Sequence, residues 1–84
     1  SKLIFVFDMD MKKFIGRIAE AIEVESVEKL NENTIFRDLD EWSSLTVLSV
    51  IAMLDEEYDI QIENADFKKL ETLGDIARFV ENQK

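Results

Sequence analysis

Two adjacent hydroxyls, Ser43 and Ser44, followed by Leu45, are the residues whose type and position could do chemistry in this 84-residue chain. They stand where an apolar periodic segment begins, so one of them is suited to cap a helix by accepting a backbone N–H. The other hydroxyl is then left over. A Ser in the first turn of a helix is exposed beside outward-pointing N–H groups, and the helix dipole there favours an anion such as a phosphate diester. Unaided, the same Ser is a poor nucleophile, because the chain contains no His to take its proton. The pattern describes a hydroxyl to be modified and not one that catalyses.

Three other patterns fail on context. Ile4-Phe5-Val6-Phe7-Asp8-Met9-Asp10 resembles the nucleophile strand of haloacid-dehalogenase-type phosphatases. That chemistry needs a parallel sheet, a Lys and further metal-binding acids on a much longer chain. Asp8 and Asp10 fit better near a helix N-terminus, where negative charge gains about 0.3–1 kcal/mol. Asp55, Glu57 and Asp59 alternate as in a calcium loop, but Ile60 stands where that loop needs Gly and Asp66 where it needs Glu. The pairs Asp40/Glu41 and Glu56/Glu57 lie in hydrophilic surroundings, which do not shift a carboxyl into the range of a general acid. No catalytic residue and no metal site is expected.

The absences narrow the field further. With no Cys there is no disulfide frame, thiol nucleophile or thiolate metal site. Any thioester chemistry would have to take its sulfur from an added group. Ten basic residues against nineteen acids give a net charge of −9, which argues against nucleic acid and anionic membrane as partners and for a basic protein surface. Nine of the acids lie between Asp38 and Asp66, with no Lys or Arg among them, so the net charge sits in the central third.

These residues must be positioned by helices. Pro is absent and Gly occurs twice, which disfavours a turn-dense β-sandwich. From about Met9 to Glu25, the residues Met11, Phe14, Ile15, Ile18, Ala19 and Ile22 repeat at helical spacing. A polar stretch follows to about Trp42, with Val27, Leu30, Ile35, Phe36 and Leu39 as expected anchors. At about 17 residues it is long for a compact domain, so it is expected to pack on the core or carry function. A second helix should run from Ser43 or Ser44 to about Tyr58, burying Val47, Leu48, Ile51, Leu54 and Tyr58 and turning Thr46, Ser49, Val50, Met53 and Glu57 elsewhere. A short turn or helix near 65–70 and a last helix from Thr72 to about Asn82 complete the set. Thr72 and Asp75 have the form of a capping box, with Asp in place of Glu. The expected fold is all-α: three main helices plus one short one, with a long first loop. Residues 1–8 are read as an N-terminal extension and 9–84 as one domain. The Leu3–Phe7 run is left open between a strand, a helix extension and sequence upstream of a start at Met9 or Met11. No apolar run approaches the roughly 20 residues needed to span a bilayer.

The segment Asp38-Leu-Asp-Glu-Trp-Ser-Ser-Leu through Asp55-Glu56-Glu57-Tyr58 to Ile60 and Ile62 resembles the core of an acyl carrier protein. Ser44-Leu45 matches that family's Ser-Leu step, the acidic-aromatic end of the helix follows, and the likeness covers roughly Met9 to Val80. The resemblance implies a four-helix carrier fold and a 4′-phosphopantetheine arm on Ser44, taken from coenzyme A by a phosphopantetheinyl transferase. Acyl intermediates would then be carried as thioesters in fatty-acid or polyketide-type biosynthesis. It also implies a cytoplasmic monomer. Asp38, Asp40, Glu41, Leu45, Val50, Met53, Asp55, Glu56 and Glu57 would form the surface that meets acyl-processing enzymes with basic docking patches. The sequence departs from the family at Ser43, where Asp is usual, at Trp42, where a small residue is usual, and at Thr46 and Ser49, where acids are usual. The alternative is a small acidic helical interaction module without a prosthetic group, in which Ser43 and Ser44 only cap a helix.

Overall fold

The computed structural model describes residues 10–83. The Leu3–Phe7 run, Asp8 and the expected helix start at Met9 lie outside the described residues. Four α-helices follow in order: α1 (Met11–Ile22), α2 (Ser44–Tyr58), α3 (Asn64–Phe67) and α4 (Leu73–Asn82). Short 3-10 turns at Val27–Lys29 and Phe36–Asp38 break up the stretch between α1 and α2. No strand is formed among the described residues, apart from a single antiparallel bridge between Ile35 and Thr72. The expected all-α arrangement of three main helices and one short helix is the one observed.

α1 forms where its apolar period says it should. Asp10 caps it by accepting from the Lys13 N–H at 3.1 Å, and Phe14, Ile15, Ile18, Ala19 and Ile22 are buried along one face. The helix ends earlier than the expected Glu25, because Glu23 adopts a left-handed conformation (φ 60°). The Glu23 and Val24 N–H groups then turn back onto the Glu20 and Ala19 carbonyls, satisfying the orphan acceptors of the last turn. Asp59 closes α2 in the same left-handed way (φ 57°), with the Asp59 and Ile60 N–H groups donating to the Asp55 and Leu54 carbonyls.

α1 and α2 run antiparallel. The rings of Phe14 and Tyr58 meet at 5.5 Å, and Arg17 reaches Glu57 at 2.7 Å while lying over the Tyr58 ring. Tyr58 has its phenol pushed above its ordinary value by burial, with Arg17 partly offsetting the shift.

The long connection packs on the core, as expected, but through only some of the expected anchors. Leu30 and Phe36 are buried and Leu39 partly so, whereas Val27 and Ile35 are exposed. Ile35 holds its place through backbone pairing with Thr72, which needs no buried side chain. Phe36 is the hub. Its ring lies 4.8 Å from Trp42 and 5.4 Å from Phe67, and Trp42 stacks on Phe67 at 6.1 Å. Arg37 donates to the carbonyls at the end of α3, those of Phe67 (3.0 Å) and Leu70. The start of α4 is held against the same loop: Leu73 and Gly74 donate their N–H groups to the Thr34 and Glu32 carbonyls. A Cβ on Gly74 would lie 2.8 Å from the Glu32 carbonyl oxygen, so this close approach requires glycine.

The buried face of α2 agrees with the expected one at Ile51, Leu54 and Tyr58 and departs from it at Leu48 and Val50. Val50 and Leu54 are buried, Ile51, Met53 and Tyr58 pack partly, and Leu48 is exposed. The helix is apolar on nearly every side, so spacing alone does not select which side faces α1. The expected capping box at α4 is present: Thr72 accepts from the Asp75 N–H at 3.0 Å, and Asp75 accepts from the Thr72 and Glu71 N–H groups. Those N–H groups, Thr72 first, hold the Asp75 carboxyl below its ordinary value, with Arg78 adding to the effect.

Two measurements check this packing. Leu54→Ala should lower the unfolding free energy by about 2–5 kcal/mol, and Leu48→Ala should change it by no more than about 0.5 kcal/mol in urea titrations. Because the folded Asp75 pKa is depressed, its stabilisation is present above the unfolded value of about 3.9 and is lost as pH falls through the folded value. Unfolding midpoints recorded below about pH 4 should therefore fall less steeply with acid in Asp75→Asn than in the natural chain.

Candidate functional site

The turn that delivers the two serines is anchored from below. Trp42 fixes it by packing against Phe36 and Phe67, and the Trp42 N–H donates to the Leu39 carbonyl at 3.0 Å. Ser43 follows in an extended conformation and is the N-cap of α2. Its Oγ accepts from the Thr46 N–H, and Thr46 answers: its Oγ1 accepts from the Ser43 N–H and donates to the Ser43 carbonyl, both at 2.7 Å. Thr46, read from sequence as a departure, thus completes a reciprocal cap that Glu more commonly makes.

Ser44 is the first residue of α2 and is exposed. Its hydroxyl takes part in no hydrogen bond among the described residues. The N–H groups of Ser44 and Leu45 likewise find no acceptor there, since the cap engages only those of Thr46 and Val47. The hydroxyl is thus free to be esterified, and two N–H donors with the positive end of α2 stand beside it for a phosphate. These groups fit a phosphodiester-linked arm without rearrangement of the cap.

Residues 12–80 match the family of the phosphopantetheine attachment site. The acyl carrier protein of Wolinella succinogenes is 30% identical over 79 residues, which cover 94% of this chain and 97% of that protein. The chain belongs to the acyl carrier protein family. No solved structure matches it. Its prosthetic group is a covalently attached 4′-phosphopantetheine, and its role is to carry acyl groups and not to catalyse. This decides against an interaction module without a prosthetic group.

The residues expected to meet partners fall into separate places. Leu45 is 74% exposed beside Ser44. Asp38, Asp40 and Glu41 are exposed ahead of α2 and line a groove with Glu23 and Glu25 from the end of α1. Asp55, Glu56 and Glu57 are exposed at the far end of α2. Met53 is half-buried in a second groove, between α1 and α2, shared with Glu20, Glu56 and Glu57. Val50 is a correction. It is fully buried under α2 and presents nothing to a partner. Leu48, expected inside, is 61% exposed on the outer side.

The contributions of Glu20, Glu23 and Glu25 had no sequence signal, because they lie outside the acid-only segment. Arg17 takes up part of the Glu57 charge, a pairing across 40 residues of chain that no local pattern announces. Among the described residues, no helix is long and apolar enough to cross a membrane, and no group of three or more acidic side chains is placed to hold a metal ion.

The division between the two serines has a direct test. Ser43→Ala should destabilise the fold by about 1 kcal/mol through loss of the cap, and Ser44→Ala should leave the thermal midpoint nearly unchanged.

Proposed function

We propose that Ser44 is the residue that receives the 4′-phosphopantetheine arm. The observation that carries this reading is the contrast between the serines: Ser43 is engaged on both sides in the cap, while the Ser44 hydroxyl is exposed and unengaged. In the loading reaction, Ser44 Oγ bonds to the β-phosphorus of coenzyme A. The bond from that phosphorus to the bridging oxygen breaks, and adenosine 3′,5′-bisphosphate leaves. The hydroxyl proton goes to a base of the transferase, since this chain has no His to accept it. The N–H groups of Ser44 and Leu45, with the dipole of α2, favour the negative charge of the new phosphodiester.

When bound, the group supplies a terminal thiol that holds an acyl group as a thioester, the sulfur that a Cys-free chain lacks. The chain's own residues present and steer. The capped turn holds Ser44 at the surface of the bundle. Asp38, Asp40 and Glu41 before α2, and Asp55, Glu56 and Glu57 at its end, attract basic patches on a phosphopantetheinyl transferase and on acyl-processing enzymes. Leu45 and Met53 add apolar contact. Residues 9–84 act as one carrier domain, a reading supported by the single core that α1, α2, α3 and α4 share. The working form in this reading is a cytoplasmic monomer serving fatty-acid or polyketide-type synthesis, supported by the family and by the acidic surface.

Incubation of the chain with coenzyme A, Mg²⁺ and a broad-specificity phosphopantetheinyl transferase should add one phosphopantetheine increment in intact mass. The increment should persist in Ser43→Ala and vanish in Ser44→Ala. Its persistence in Ser44→Ala would overturn the assignment.

A further inference from the structure

The turn ahead of α2 and the helix α3 meet through stacked rings. Trp42, two residues before Ser44, lies on Phe67 of α3 with the two planes 13° apart and the centroids 6.1 Å apart. Phe36 completes the cluster, 4.8 Å from Trp42 and 5.4 Å from Phe67. Phe36 and Phe67 are buried and Trp42 is half-buried. Arg37 ties the cluster down: its guanidinium lies over the Phe36 ring and donates to the Phe67 and Leu70 carbonyls at the end of α3. The core beneath the turn that carries Ser44 is thus filled by packed rings. The surface offers a hydrocarbon no better place. The groove between α1 and α2 is edged by Arg17, Glu20, Glu56 and Glu57, and the groove ahead of α2 by Asp38, Asp40 and Glu41.

We propose that Trp42 sets the size of the cargo: it shuts the bundle beside Ser44, so that this chain suits short acyl groups and leaves a long hydrocarbon tail in water. The inference rests on the reading of Ser44 as the attachment residue and deepens it by naming the class of acyl group. A tail tethered there gains from leaving water in proportion to its length. To enter beside Ser44 it must part Trp42 from Phe67. That exchange covers the tail by uncovering rings as apolar as itself, so the hydrophobic gain cancels. The aromatic contacts, and the Arg37 hydrogen bonds once α3 moves, are lost in addition. In the grooves the tail would displace water from ionised side chains, which is unfavourable. A short acyl group has little apolar surface to hide and stays in water at little cost.

The test loads the whole chain from butanoyl- and dodecanoyl-coenzyme A with a broad-specificity phosphopantetheinyl transferase, and intact mass verifies one acylated arm. Thermal unfolding, and the emission of Trp42 as the single tryptophan, are compared with the same chain carrying the arm without an acyl group. In the natural chain neither tail should move the midpoint by more than about 2 °C, and the Trp42 emission should not shift. Trp42→Ala and the milder Trp42→Leu open space beneath the turn and should lower the unacylated midpoint. In these variants the dodecanoyl form should melt about 4 °C or more above its own unacylated form, and the butanoyl form should not. A rise of about 4 °C or more with the dodecanoyl tail in the natural chain would overturn this inference and leave the attachment reading standing. A dodecanoyl tail that stabilises neither folded variant would overturn the role of Trp42. No arm attached at Ser44 in the natural chain would overturn both readings.

Discussion

The structure depends on one ring. A bundle with a four-residue third helix cannot close its core from helices alone, and the side left open is filled by Phe36 from the connection between α1 and α2. Its ring packs on Phe67 of α3 and on Trp42 at the approach to α2, and its backbone N–H donates to the Glu71 carbonyl just ahead of α4. Three elements are thus located against one buried residue, two by its ring and one by its backbone. Aromatic pairs at these separations are worth about 0.5–1.5 kcal/mol each beyond their buried area. More important here than the energy is the geometry. The turn that carries Ser43 and Ser44 is held on the core by Trp42, two residues before Ser44.

With the turn fixed, the helix start divides two chemically identical residues. The cap consumes Ser43, with Thr46 returning its hydrogen bond, and the geometry of a first turn points the next hydroxyl outward. A hydroxyl left exposed and unengaged beside a fixed cap, on a chain with no thiol or imidazole, suits the attachment of an added group. Absence of Cys and His means that no thiol or imidazole of the chain competes for a thioester or for a serine proton. The charge is placed to match. Carboxylates stand before α2 and at its far end, while Arg17 already holds part of the Glu57 charge within the molecule.

Legibility varied with the shape of each helix. α1 carries a single apolar face, and its buried residues could be read from spacing, as could the Thr72–Asp75 cap of α4. α2 could not be read in the same way. Val47, Leu48, Val50, Ile51, Met53 and Leu54 cover most of its circumference, so more than one stripe satisfies helical spacing. The expected stripe holds at Ile51, Leu54 and Tyr58 and fails nearer the helix start: Val50 is inside and Leu48 outside. In the long connection, Phe36 could be anticipated as an anchor from its size alone. Ile35 could not be excluded, because its backbone bridge to Thr72 depends on a partner 37 residues away.

The sequence by itself determined the fold class, the order of the helices, the family and the existence of a spare hydroxyl at the start of α2. Each is encoded locally, in apolar period, in caps, or in a contiguous motif around Ser44. The tertiary structure alone decided which side of α2 is buried and how the acids are grouped. Those outcomes depend on contacts between residues far apart in the chain: Phe14 with Tyr58, Arg17 with Glu57, and Phe36 with Phe67. A helix that is apolar on most sides takes its orientation from its neighbours, and only the packed molecule contains them.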